Sequence, residues 1–265
     1  MKINSLFSVK GKTAIVTGGS RGIGEMIAAG FLANGVKVYI SARKAPALIE
    51  KANELAEKFQ QECIPIPCDL SDLEGITSFV TEIKSKEESI DFLINNAGAA
   101  WGETFESFSE KGWDKVMDLN VKSMFFLTQQ LKTMLTKNAS LDDPSRVINI
   151  GSIDGLNVPA FETYSYSSSK AAVHHLTRVM ASKLVKENIL VNAIAPGPYP
   201  SEMLGSAVNS DYTEIEKRNP RKRIGSAEDI AGLVIFLCSR AGAYTVGETI
   251  TSDGGIVKTS SHNLG

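Results

Sequence analysis

An alternation restricts the fold of this chain more than any other feature. Seven short apolar runs, at 13–19, 36–42, 64–70, 90–98, 145–152, 189–197 and 248–255, are separated by stretches of helix length. The first such stretch, "IGEMIAAGFLANG", has helical spacing and a plausible stop at Gly35; "ALIEKANELAEKFQQ" and "LEGITSFVTEIKSK" continue the alternation. Strands this apolar, with helices between them, predict an α/β fold whose central, mostly parallel sheet of seven strands is buried by helices on both faces. With 265 residues, 43 % of them hydrophobic, a large core is possible, and no linker or composition shift marks a boundary. One domain spanning residues 1–265 is expected. The least regular segments are 136–145 and 198–223. The second follows a strand's carboxyl end, where open α/β sheets bind ligands, and is read as the substrate loop.

Charge narrows the partners. A formal net charge of −2, with both signs scattered along the chain, offers no footprint for nucleic acid or an anionic membrane. Cys63, Cys68 and Cys238 are sparse and odd in number, which predicts reduced packing thiols in a cytoplasmic protein. The first residues lack the pattern of a signal peptide, and no run is long enough to span a bilayer. No metal site is expected: His174 and His175 are adjacent, so on a helix they diverge by about 100°, and packing is the expected role.

"TGGSRGIG" sits between the first strand and its helix, with Thr17, Gly18, Gly22 and Gly24 in the turn. Glycines there let the backbone approach a pyrophosphate, and the helix start favours the anion. This predicts a doubly wound, Rossmann-type dinucleotide site. A carboxylate at the end of the second strand would accept bonds from an adenosine ribose and repel a 2′-phosphate. No Asp or Glu occurs between Met26 and Ile49; "SARK" stands at that place, with Arg43 and Lys44. Two cations and no acid predict NADPH/NADP⁺.

In "ETYSYSSSKAAVHH", Tyr166 and Lys170 are four apart and share a helix face, whereas Tyr164 has Ser168 at that spacing. A lysine ammonium favours the phenolate and moves a tyrosine toward working pH, so Tyr166 is the candidate acid.

The spacing Thr-Gly-x-x-x-Gly-x-Gly, joined to Tyr166-x-x-x-Lys170, resembles the classical short-chain dehydrogenase/reductase family, over about Val9 to Val257. The look is nearest to its 3-oxoacyl (β-ketoacyl) reductases, the rhamnolipid-synthesis-associated type included. The resemblance implies a catalytic set of Asn120, Ser152, Tyr166 and Lys170. Ser152 would bond the substrate oxygen, Lys170 the nicotinamide ribose, and Asn120, from a helix interruption, a relay water. It also implies cofactor contacts from Ser20, Arg21 and Ile23 in the glycine turn, with Arg21 aimed at the 2′-phosphate. Further contacts would come from Asp69 and Leu70, from Asn96, Ala97 and Gly98, from Pro196, Gly197 and Ser201, and from Tyr166 and Lys170 themselves. Asp69 reads equally well as a helix cap.

The implied reaction reduces the ketone group of a small-molecule carbonyl substrate or 3-oxoacyl thioester. Family carrier-protein reductases present basic residues to an acidic acyl carrier; here the matching stretches hold Asp142, Asp143 and Glu187. A carrier-bound substrate is therefore doubtful. The alternatives are a 3-oxoacyl carrier-protein reductase after all, or a non-catalytic NADPH-binding regulator. The family pattern implies a homodimer or homotetramer. Trp101 reads as core or as cleft wall, and Tyr164 as pocket wall or packing.

Overall fold

The seven apolar runs become the seven strands of one sheet. The computed structural model describes residues 2–259 apart from 160 and 208. The strands are β1 (Thr13–Thr17), β2 (Lys37–Ala42), β3 (Cys63–Pro67), β4 (Phe92–Asn95), β5 (Ser145–Ile150), β6 (Ile189–Pro196) and β7 (Thr249–Ser252). Their order is β3-β2-β1-β4-β5-β6-β7, and every pairing is parallel. The chain winds outward from β1 to β3, then crosses back to β4 on β1's other side. That reversal opens a cleft at the carboxyl ends of β1 and β4, the topological switch point of a doubly wound sheet.

The helices are α1 (Ile3–Leu6), α2 (Gly22–Ala33), α3 (Ala45–Phe59), α4 (Leu73–Lys86), α5 (Glu110–Met117), α6 (Ser123–Thr136), α7 (Tyr164–Leu184), α8 (Glu202–Ala207), α9 (Thr213–Arg218), α10 (Ala227–Cys238) and α11 (Ile256–Thr259). One buried cluster joins Val16, Phe31, Phe92 and Val234; the other joins Ile15, Phe79, Leu131 and Val147. Adjacent β1 residues thus serve opposite faces, and both faces are covered. The stop at Gly35 is where expected, at φ +76° just beyond α2.

Several strands end earlier than the apolar runs suggest, β1 at Thr17 and β4 at Asn95. The residues beyond them leave the ladder to build the cleft floor. A buried polar chain ties sheet to helices: Asn95 donates to Thr128 Oγ1 (3.2 Å) and Asn149 Oδ1 (2.9 Å), and Asn149 donates to Thr177 Oγ1 (2.9 Å). Because these partners would be costly to leave unmade in the interior, the chain fixes α7 against β5. Arg146 is buried on β5 and donates to the Leu237 and Ser239 carbonyls at the end of α10, at 3.1 and 3.2 Å. Carbonyls at a helix C-terminus suit a cation.

The segment 198–223 forms α8 and α9 and is anchored at both ends. Tyr199 shares a 2.6 Å hydrogen bond with Ser252, and buried Asn219 donates to the Asp253 carbonyl at 3.1 Å.

Candidate active site

Gly18 follows β1 with φ +65°, and a Cβ there would lie 3.0 Å from Asn96 Nδ2 and 3.1 Å from Ala97 Cα. A Cβ on Gly24 would lie 2.3 Å from the Gly18 carbonyl oxygen, so a glycine is what lets α2 descend onto the turn. Thr17 Oγ1 accepts from the Asn96 and Ala97 N–H groups, both at 2.9 Å, and Asn96 Nδ2 donates to the Thr17 carbonyl at 2.8 Å. Asn96, expected among the cofactor contacts, therefore spends its amide on shaping the glycine turn. Arg21 occupies the N-cap of α2 without a side-chain cap bond, which leaves first-turn N–H groups for an anion. Ser20 is half-buried beside it, and Ile23 packs against the core.

Arg43 and Lys44 follow β2 and are exposed, and among the described residues neither has an ion-pair partner. Arg21 differs from the sequence expectation. Its guanidinium is bonded to Glu202 at the start of α8, because segment 198–223 folds back over the glycine turn. The same approach brings Ser201 Cβ within 3.3 Å of a Cβ placed on Gly22. Pro196 ends β6, and Gly197 N–H donates to the Ser252 carbonyl at 3.0 Å.

At the end of β3 the cap of α4 is Asp72, whose side chain accepts from Gly75 N–H at 2.8 Å. Asp69 is exposed and accepts from Ser71 N–H at 2.9 Å, so it is not the cap. The Leu70 side chain is buried in the core and turned away from solvent, unlike its neighbour Asp69. Gly98 faces the other end of the cleft: a Cβ there would lie 3.1 Å from Asn120 Oδ1 and 3.7 Å from Lys170 Nζ.

The catalytic candidates converge where β5, α7 and a π-turn meet. Lys170 is buried, donates to the Ile150 carbonyl at 2.8 Å and lies 5.5 Å from the centre of the Tyr166 ring. Burial pushes its pKa down to about 8, with Asp154 acting the other way. Burial pushes Tyr166 up to about 12; the neighbouring Ser152 hydroxyl lowers it and Asp154 raises it. Ser152 Oγ accepts from Asp154 N–H at 3.1 Å, which leaves its own proton free to donate. Asn120 lies in the π-turn Asp118–Lys122 between α5 and α6, a helix defect often found at functional sites. Its side chain accepts from Ala99 N–H (2.8 Å) and donates to the Ala99 carbonyl and Ser169 Oγ (both 2.9 Å). Ser169 in turn donates to the Tyr166 carbonyl at 2.7 Å, so Asn120 links the loop after β4 to α7.

Three features had little or no signal in the sequence. His174 is buried one turn beyond Lys170, in a notch that a Cβ on Gly151 or Gly155 would fill, at 2.1 Å from Nε2 and 2.9 Å from Cε1 respectively. Burial, then the Lys170 charge, pushes its pKa down to about 4. His175 is exposed beside Arg178. Glycines on both sides of Ser152 were the available clue. Asp154 beside Lys170 and Glu202 beside Arg21 had none, because those partners lie far away in sequence. Tyr164 packs edge-on against Phe105 and Phe108, at 5.7 and 5.6 Å between ring centres, and its hydroxyl donates to Glu162 at 2.9 Å. Trp101 lies against Gly112, with Lys115 Nζ 4.6 Å from its ring centre. Among the described residues no group of His, Cys, Asp or Glu could hold a metal ion, and no helix is long and apolar enough to cross a membrane.

Known proteins are similar in sequence and fold over nearly the whole chain. A family model described as enoyl-(acyl carrier protein) reductase matches residues 18–257. A rhamnolipids biosynthesis 3-oxoacyl-[acyl-carrier-protein] reductase of Pseudomonas aeruginosa is 44 % identical, covering 94 % of this chain and 97 % of its own. A 2-dehydro-3-deoxy-D-gluconate 5-dehydrogenase of Dickeya dadantii is 35 % identical, over 96 % of this chain and 98 % of its own. The RhlG/NADP active-site complex of Pseudomonas aeruginosa superposes with a TM-score of 0.90 at 43 % identity, over 95 % of this chain and 98 % of its own. Sheet order, glycine turn and sequence relatives converge on one family: this chain is a short-chain dehydrogenase/reductase, an oxidoreductase by descent and by fold.

Proposed function

We propose that the chain is an NADPH-dependent carbonyl reductase in which Tyr166 is the general acid. The observation that carries this is the grouping of two O–H donors with a buried ammonium: Ser152 against Tyr166, and Lys170 one helical turn on. Two hydroxyls offered side by side suit an oxygen that gains charge, which favours a carbonyl over a carbon–carbon double bond.

The residues fit the cofactor. The cradle at Gly18 and Gly24 is one that a Cβ would fill, the start of α2 is uncapped, and Arg43 and Lys44 stand free with no carboxylate beside them. Thr17, Ser20, Gly22 and Ile23 would line the pyrophosphate, with Asp69 and Ala97 to Gly98 along the adenosine. Lys170 and the segment Pro196 to Ser201 would hold the nicotinamide end. When bound, the reduced nicotinamide supplies the hydride. As the carbonyl carbon accepts the hydride, the π pair of the C=O bond passes to the oxygen, and Tyr166 donates its hydroxyl proton there. Ser152 donates a hydrogen bond to that oxygen, its acceptor side being occupied by Asp154 N–H. Lys170 keeps a positive charge below the phenol, which lowers the cost of the tyrosinate left behind, and Asn120 holds the wall through which water would return the proton.

The substrate is proposed to be a free ketone, a diketone or a CoA thioester. Asp142, Asp143 and Glu187 put carboxylates on the two stretches that would meet an acidic carrier, where Asp143 is paired with Lys12 at 2.6 Å and Glu187 with Lys132 at 2.7 Å. Exposed Phe125, Val179 and Val185 on or beside α6 and α7 suit association with further copies of the chain in the cytoplasm. A panel of ketones, sugar acids and thioesters, followed by NADPH consumption, tests the reading. Ketone turnover that vanishes in Tyr166→Phe while NADPH still binds supports it. Turnover that survives in that variant overturns the assignment, and no turnover with any carbonyl favours a regulatory protein. Saturable reduction of an acetoacetyl-carrier protein at low micromolar concentration overturns the substrate preference.

A further inference from the structure

The turn that carries Ser152 holds an ionisable group that the reaction above does not use. Asp154 lies in the single 3-10 turn Ile153–Gly155, with its N–H on Ser152 Oγ. This turn is seated on α7 at the catalytic lysine itself, since a Cβ on Gly155 would lie 2.6 Å from both the Lys170 carbonyl carbon and the Ala171 nitrogen. Asp154 is half-buried, and the described residues place no hydrogen bond on its carboxylate. The groups that act on it come from α7, Tyr166 and Lys170; His174, next on that helix and set against Gly155, is kept neutral by its burial and the Lys170 charge. The strand β6, also packed against the turn, has no titratable side chain between Ile189 and Pro196. A carboxylate and an ammonium thus flank the one phenol that must give up a proton.

We propose that Asp154 is a positioning residue for the reaction: from the Ser152 turn, its carboxylate supplies the countercharge to Lys170 and holds Tyr166 in the protonated form that reduction consumes. The inference rests on the reading of Tyr166 as the acid. Its physical basis is charge balance. Burial already disfavours the phenolate; with Lys170 alone it would face a net positive site and form more easily, and the carboxylate cancels much of that attraction, because charges couple strongly where water is scarce. The directions agree, since Asp154 raises both Tyr166 and Lys170, while Lys170 pulls the Asp154 carboxyl down against its burial. The protein gains a proton donor that stays loaded at neutral and mildly alkaline pH, at the expense of alcohol oxidation, which needs the phenolate.

Asp154→Asn keeps the shape and removes the charge. The expected result is that the alkaline fall of ketone reduction and the onset of alcohol oxidation both move to lower pH by about half a unit to one unit, which is about a 3–10-fold change in phenolate population. NADPH affinity and melting temperature should stay near the parent's. Asp154→Glu, which keeps the charge, should restore the parental profile. A tyrosinate difference titration against Tyr166→Phe, in the parent and in D154N, reads the same shift without turnover. Coincident profiles and titrations in the parent and a folded D154N overturn the inference, as does an equal displacement in D154N and D154E, which would mean shape rather than charge. Should D154N fail to fold, the comparison passes to Asp154→Ser under the same criteria. Failure here leaves the parent active and Tyr166→Phe inactive, whereas failure of the underlying reading shows itself as turnover that survives Tyr166→Phe, or as none in the parent.

Discussion

The two ends of the cleft are built on opposite electrostatic principles. At the catalytic end, Lys170 and His174 are buried and Tyr166 and Asp154 half-buried, and burial is the largest cause moving the pKa of each. At the adenosine end, Arg43 and Lys44 are exposed, and Arg21 is solvent-facing even while bonded to Glu202. The contrast separates two tasks. Proton transfer needs charges that water does not screen, whereas recognition of a soluble phosphate needs cations that can be reached and released.

If the buried end does the chemistry, Tyr166→Phe should lower ketone turnover by about 10²–10⁴-fold with NADPH affinity intact, measured by steady-state kinetics beside calorimetry. Gly151→Ala should come next. Its methyl would enter the His174 ring, an overpacking that costs about 1–3 kcal/mol and displaces Ser152, so both melting temperature and turnover fall. The double variant Gly151→Ala with His174→Ala should recover part of both; no recovery would mean that the ring and the notch are not coupled.

The same histidine gives a pH signature. Unfolded, it takes up a proton below about 6.5; folded, it resists until about 4. The unfolded state therefore binds more protons across that window, and stability falls as pH drops through it. His174→Leu should flatten the dependence of melting temperature on pH between those values.

The exposed end predicts smaller, salt-sensitive effects. Arg43→Ala should weaken NADPH by about 3–10-fold and leave NADH unchanged, and the difference should shrink in high salt, as for any exposed charge pair. Smallest of all, Glu202→Gln should release Arg21 and tighten NADPH by about 2–3-fold, within the range of an exposed ion pair. An unchanged affinity would mean that Arg21 takes no part in phosphate recognition.

Much of this architecture was legible in order along the chain. The seven apolar runs, Gly35 as a helix stop, the glycine turn, and Tyr166 with Lys170 are local patterns, set by side-chain periodicity and by the backbone freedom of glycine. Strand ends were less legible, since residues such as Asn96 leave the ladder for contacts some eighty positions away. Asp69 and Asp72 compete as caps within one short stretch, and only the geometry of Gly75 N–H gives the cap to Asp72.

A parallel α/β sheet, a dinucleotide turn and a tyrosine–lysine pair could all be read along the chain, because each is written in residues a few positions apart. Which distant groups meet came only from the three-dimensional packing: Asp154 with Lys170, Arg21 with Glu202, and the His174 ring with the glycines around Ser152. Those meetings depend on how the winding of the sheet brings distant carboxyl ends together, and Coulomb and contact energies act on distance in space rather than along the chain.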